Sequence, residues 1–228
     1  ATEANNQFII GAALKAKREG SRRRKIYYSA VEHKCILNSA EFTQSLGFEI
    51  IEIPVNEKGT VNIKWLKEHI DEETLLVTVM SANNETGYHS PLKQIGEITE
   101  NSGAYFHSDF AQGLFKKWPS LYDLNLDAIS ISGHKINGPK GVGALICTLN
   151  PTEMLDPLIH GGLQEGNLRS GTVPVFLVAA LAECINILEL EREETFKYIT
   201  CLKENLLKKL LSYCPDIELN NPGADGHP

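Results

Sequence analysis

No run of apolar residues in the chain is long enough to span a bilayer as a helix. The opening ATEANNQ has neither the basic region nor the apolar stretch of a secretion signal, so a reducing, cytoplasmic compartment is expected. CxxC pairs are absent. The five cysteines, Cys35, Cys147, Cys184, Cys201 and Cys214, stand far apart with no metal-ligand spacing, so neither disulfides nor a metal site is expected. Long basic tracts are missing too. The formal net charge is −7 and the only basic cluster is Arg22, Arg23 and Arg24 after Gly20, read as a solvated turn. Neither nucleic acid nor a membrane surface is therefore an expected partner. Internal repeats and low-complexity segments are also lacking.

What is present is a chain of 228 residues, 42% of them hydrophobic, which is enough to bury a sizeable core. Its apolar pattern alternates between two periods. Residues 2–17 suit a helix, KIYYSA (25–30) a strand, 33–46 a helix and FEIIEIPV (48–55) a strand. A helix near 62–70 leads to the strand LLVTVM (75–80), and a helix over 91–102 leads to AYFHS (104–108); AISIS (128–132) is a further strand. This alternation predicts an α/β fold with a mostly parallel sheet flanked by helices. GVGALIC (141–147) follows AISIS too closely for a crossover, so that strand is expected to run antiparallel. A long helix over about 175–212 reads as a path from a large domain (1–174) to an incomplete small α+β domain (175–228).

In an open sheet of this kind, ligands gather at the carboxyl ends of the strands. Those ends carry His33 after KIYYSA, Asn83 and Asn84 after LLVTVM, Asp109 and Gln112 after AYFHS, and Ser132, His134 and Lys135 after AISIS. Each has an ordinary reading by itself, as a capping aspartate, a turn asparagine or a loop histidine. Together they carry the groups that pyridoxal phosphate requires. A lysine amine condenses with its aldehyde, and an aspartate keeps its ring nitrogen protonated. Bound in that way, Lys135 could be buried without the cost of a desolvated ammonium.

The segments EHK (32–34), NNETG (83–87), HSDFAQ (107–112), SGHKINGPKG (132–141) and RSGTVP (169–174) resemble, in order and spacing, the cysteine desulfurases of the class V aminotransferase group, pyridoxal-phosphate enzymes of the NifS/IscS type. ATEANN is similar to that family's phosphate-binding segment. The resemblance implies the large-domain fold of the pyridoxal-phosphate transferases. It also implies that Lys135 is the Schiff-base lysine, that Asp109 partners the pyridine nitrogen, and that His33 stacks on the ring and shuttles protons. Asn84 and Gln112 would lie near the ring oxygen. Thr2, Ser132 and His134 would hold the phosphate, with Thr2 at a helix start whose free N–H groups favour an anion. Thr172 would reach the phosphate of a second subunit, which implies a homodimer. Thr2 could instead be only an N-cap, and Ser132 and Thr172 only loop hydrogen-bonders.

The chain departs from the family pattern in places. Phe110 stands where a small residue is usual and is expected to crowd the pocket, and Asn137 replaces a ring. The strand leading into the phosphate motif, the nucleophilic cysteine and the arginine for the substrate carboxylate are expected to lie outside this segment. Cys35, two residues from His33, reads as a buried structural thiol. The function implied is conversion of L-cysteine to L-alanine, with sulfur passed through an enzyme persulfide to an acceptor or scaffold protein for iron–sulfur cluster or thiocofactor synthesis. Selenocysteine lysis, or another class V reaction such as transamination, is the alternative within enzymes. An inactive scaffold that binds a partner protein is the alternative outside them. In a eukaryote the compartment would be the mitochondrial matrix.

Overall fold

An amphipathic helix and five apolar strand segments set the frame. The computed structural model describes residues 1–114 and 120–219. Helix α1 (Thr2–Arg18) precedes β1 (Lys25–Ser29), α2 (Lys34–Gln44), β2 (Glu49–Ile53), α3 (Ile63–His69) and β3 (Thr74–Thr78). Then come α4 (Leu92–Ser102), β4 (Tyr105–Asp109), β5 (Ala128–Ser132), β6 (Gly143–Cys147), α5 (Pro151–Met154) and α6 (Val175–Tyr213). The sheet runs β2-β1-β3-β4-β5-β6. The first five strands are parallel, and β6 returns antiparallel to β5 because the 133–142 connection is too short for a crossover. From β1 the chain steps outward to β2 and then back past β1 to β3. The loops leaving β1 and β3 therefore part at their carboxyl ends, and this is the switch point of the sheet.

Both faces of the sheet are covered, which is why β3 and β5 are buried at every position. On one face Phe8, Ile9, Ala12, Ala13 and Ala16 of α1 pack with Ile36 of α2 and Met154 of α5 over Ile26, Leu76 and Ala128. On the other, Leu66 of α3, Leu92 and Ile95 of α4, and Leu181 and Leu188 of α6 cover Tyr27, Val77, Val79, Phe106, Ile129 and Ile131. Alternate residues of β4 separate between these layers. Phe106 belongs to the second, while His107 meets the Phe8 ring of the first, stacked at 4.8 Å.

His107 is fully buried and forms a polar row across three strands. Its Nδ1 lies 2.9 Å from Thr78 Oγ1 on β3, and its Nε2 lies 3.0 Å from Ser130 Oγ on β5. Burial pushes its pKa down to about 3, so the ring is neutral at physiological pH. The two hydroxyls each donate or accept as its tautomer demands, and no buried charge arises.

The basic cluster is not the solvated turn that its composition suggests. Arg23 donates to the carbonyls of Thr74 and Ser102 at 2.6 and 3.2 Å, and the Arg24 guanidinium lies over the Phe48 ring at 5.3 Å. The two side chains tie the start of β3 to the end of α4 and cover an apolar ring. Helix α6 begins at Val175, and of its side chains only Leu181 and Leu188 are buried among the described residues. Residues 220–228, read above as part of a small domain, lie outside the described residues.

Gly96 shows how closely α4 approaches the turn before β5. A Cβ there would stand 2.0 Å from the Leu124 carbonyl oxygen, backbone that cannot swing aside. Gly96→Ala should therefore lower stability by about 1–3 kcal/mol through overpacking, read as a lower denaturant midpoint at unchanged slope. An unchanged midpoint would show that α4 can shift freely.

Candidate active site

Asp109 ends β4, and only 5% of its surface is exposed. Its Oδ1 accepts from the Ala111 N–H at 2.8 Å and its Oδ2 from Asn5 Nδ2 at 2.7 Å. Two donors suit a carboxylate rather than an acid. Asn5 is fully buried on α1, one turn before Phe8, so α1 lies along β4 with Asn5 over Asp109 and Phe8 over His107. The same Asn5 Nδ2 is 3.1 Å from Cys35 Sγ, while Asn5 Oδ1 is buried with no partner.

His33 caps α2 rather than lying within it. Its Nδ1 accepts from the Cys35 N–H at 3.2 Å and sits 3.0 Å from the Cys35 thiol. With Nδ1 an acceptor, the neutral ring carries its proton on Nε2. The imidazole is exposed, whereas Cys35 is buried and its thiol pKa is pushed up, chiefly by burial. Between them and β1 stands Glu32. Its Oε1 accepts from Ser29 Oγ at 2.7 Å and from the Met80 N–H at 2.6 Å, and its Oε2 is buried without a partner. Burial pushes its pKa up to about 8.

After β3, Asn83 holds the turn together. Its Oδ1 accepts from the N–H groups of Glu85 and Thr86, both at 2.9 Å, and its Nδ2 donates to Val31 O at 3.1 Å. Asn84 is left exposed at the tip. Gln112 is half-buried in the turn that follows Asp109.

Lys135 lies in a single 3-10 turn, Gly133–Ile136, just past β5. Its neighbour Ile136 is buried and anchors the turn, and Lys135 itself is exposed. β5 is buried to its last residue and Gly133 and Ile136 of the turn are buried as well, so His134 and Lys135 are the two residues of the turn that face outward. Ser132, buried at the end of β5, lies with its Oγ 2.9 Å from Nδ1 of the exposed His134. The loop closes on itself through Gly138 N–H to Gly133 O at 2.9 Å and Gly133 N–H to Val142 O at 3.0 Å. A Cβ at Gly138 would meet Gly133 O at 2.8 Å, so the approach needs glycine. Asn137 adopts φ 60°, a left-handed conformation that asparagine tolerates and an aromatic residue does not favour.

Thr2 is exposed as the first residue of α1, whose cap is Ala1 without a side-chain hydrogen bond. Thr2 is therefore not the N-cap. Thr172 is exposed in the loop before α6, and Arg169 of that loop donates to Glu3 Oε1 at 2.7 Å, which ties the loop to the first turn of α1. Among the described residues no hydrogen bond joins Thr172 to Asp109, Ser132 or Thr2. Phe110 does not crowd this group. It is buried in the opposite layer with Val79, Leu114 and Ile131, where the lack of a side chain on Gly113 makes room for it.

Sequence reasoning missed Asn5 and Glu32. Both lie inside quoted motifs, ATEANN and EHK, yet a polar residue at a helical core position and an acid beside a strand end are the only signals either one gives. Among the described residues no cluster of three or more His, Cys, Asp or Glu could hold a metal ion. No helix is long and apolar enough to cross a membrane, again among the described residues.

Residues 1–227 match the family Aminotransferase class-V. The cysteine desulfurase IscS of Rickettsia bellii is 40% identical over 220 residues, covering 96% of this chain and 53% of the relative. The crystal structure of DndA from Streptomyces lividans superposes with a TM-score of 0.83 at 38% identity, over 92% of this chain and 60% of that one. SspA in complex with cysteine superposes at 0.76 and 37% identity, over 81% of this chain and 52% of that one. The chain spans about half the length of the curated relatives it matches.

The Asn5 bond generates a direct expectation. Asn5→Ala leaves one oxygen of a buried carboxylate without its donor, and should destabilise the protein by about 1–3 kcal/mol. Calorimetric unfolding checks it, and an unchanged transition would show that water replaces the amide at no cost.

Proposed function

The chain belongs to the class-V aminotransferase family, and from that premise we propose that the protein is a pyridoxal-phosphate-dependent cysteine desulfurase, releasing L-alanine from L-cysteine and passing the sulfur on through an enzyme persulfide. The observation that carries the reading is the pairing of two neighbouring strand ends. β4 ends in a buried carboxylate with two donors, and β5 ends in a turn that presents an amine. The relatives named cysteine desulfurase and the structure of SspA with cysteine support the substrate class.

The donor set fits the cofactor. Asp109 has lone pairs to spare after accepting from Asn5 and Ala111, as a partner for a protonated ring nitrogen requires. Ser132 and His134 offer a hydroxyl and an imidazole side by side near the first turn of α1, a set suited to phosphate. When bound, pyridoxal phosphate supplies an aldehyde that condenses with amines and a protonated ring that accepts electrons from the substrate. The chain's own residues do the rest. Asp109 would keep the ring nitrogen protonated, and Asn5 keeps Asp109 in place. Lys135 would supply the amine and exchange protons at the substrate carbon. His33, with its proton on Nε2, would donate to the departing sulfur. Asn84 and Gln112 would orient the ring oxygen. Thr2 and Thr172 would complete the phosphate cradle, the latter from a second subunit of a homodimer. The sulfur would pass to an acceptor or scaffold protein for iron–sulfur cluster or thiocofactor synthesis, in the cytoplasm or the mitochondrial matrix.

The tests use the full-length protein. Borohydride reduction followed by peptide mapping should place the pyridoxyl label on Lys135, and Lys135→Ala should lose the yellow colour and all alanine production; a label on another lysine overturns the assignment. Asp109→Ala should slow turnover on the order of 10²–10³-fold, the scale of removing one preorganised electrostatic contact. The products separate the reactions, since alanine with sulfide or persulfide means desulfuration and a keto acid means transamination.

A further inference from the structure

Glu32 occupies the switch point of the sheet, and none of the steps above uses it. Its Oε1 takes one hydrogen bond from Ser29 at the end of β1 and one from the Met80 main chain just beyond β3, the two strands whose loops part there. The Asn83 side chain adds a second tie across the same gap by donating to Val31 O. Glu32 is only 7% exposed, and its Oε2 is buried with no donor near it. A carboxylate in that position would hold half its charge on a buried oxygen with no hydrogen-bond donor, whereas a neutral acid places its proton there and leaves Oε1 free to accept both donors.

A second carboxyl adds to the effect of burial. Asp109, at the end of β4, acts on Glu32 as a like charge, and two neighbouring buried carboxyls do not both ionise readily. Asp109 has two donors, one on each oxygen, and Glu32 has both of its donors on one. The geometry thus separates them into an anion and an acid.

We propose that Glu32 is a positioning residue of this site: as a neutral acid it clasps the loops that part between β1 and β3, and so fixes the adjacent His33 without adding a second negative charge beside Asp109. The proposal rests on the reading of the site as a pyridoxal-phosphate site. Burial, with Asp109 adding to it, pushes the Glu32 pKa up to about 8 from an ordinary 4.5. The groups around it are Ser29 from β1, the Met80 N–H beyond β3, Asp109 from β4, and the adjacent His33 on its own loop. Because the folded pKa is the higher one, the folded state holds an extra proton between those values. The Glu32 contribution is therefore favourable at low pH and is lost as pH rises through about 8.

The test uses the full-length protein, Glu32→Gln and Glu32→Ala. Glutamine has the shape and neutrality of the protonated acid, so Glu32→Gln should keep pyridoxal-phosphate affinity within about twofold, while Glu32→Ala weakens it about tenfold. With the cofactor removed, the wild-type melting temperature should fall relative to that of Glu32→Gln between about pH 5 and about pH 9, because only the wild type has the proton to lose. Parallel melting curves, or a glutamine variant as weak as the alanine one, would overturn the proposal. Wild-type protein that fails to bind pyridoxal phosphate would overturn the cofactor reading instead, and the cofactor-free melting curves keep that failure distinct from loss of the neutral acid.

Discussion

The hydrogen bond from Asn5 to Asp109 is the contact on which the rest of the site depends. It joins the first turns of α1 to the end of β4 across 104 residues of sequence. It does so at a carboxylate that would otherwise be buried with a single donor. Phe8 repeats the contact one turn along the helix by stacking on His107. A helix anchored at two points along one strand can neither slide nor rotate without breaking a polar bond or opening the layer beneath it. Everything placed by α1, including Thr2 and the Glu3 pair with Arg169, inherits that register.

The polar groups buried beneath the site are arranged so that little charge is buried. His107 is neutral and shares its two nitrogens with hydroxyls from the strands on either side. Glu32 accepts two hydrogen bonds on one oxygen, and burial favours its acid form. Asp109, with donors on both oxygens, is left to hold the negative charge of the group. Low dielectric would make a second anion there expensive.

His33, Asn84, His134 and Lys135 are exposed at or just past the carboxyl ends of their strands, and Thr172 is exposed in the loop before α6. Asn83 holds the turn for Asn84, Ile136 and the glycine contacts hold it for Lys135, and Ser170, bonded to Gly162 O at 2.6 Å, secures the loop of Thr172. A rigid floor with presented polar tips is the arrangement expected where a ligand is to be gripped by groups from several strands at once.

The sequence by itself determined the order of helices and strands, the antiparallel return of β6, and the presence of Asp109 and Lys135 at successive strand ends. Local periodicity and connection length are enough for the first two, and fold geometry for the third. Lengths came out shorter at several ends. LLVTVM, for instance, is strand only as far as Thr78, although the N–H groups of Val79 and Ser81 still donate to His107 O and Asp109 O of β4. The tertiary structure decided what depends on contacts distant in sequence. Arg23 found carbonyls near residues 74 and 102, Phe110 turned to the layer opposite the site, and Lys135 emerged into solvent. Asn5 and Glu32 became part of the site for the same reason. A period of two or of 3.6 tells which residues share a face, but not which face will meet which helix, and the protonation of a buried carboxyl is set by the donors that folding brings to it.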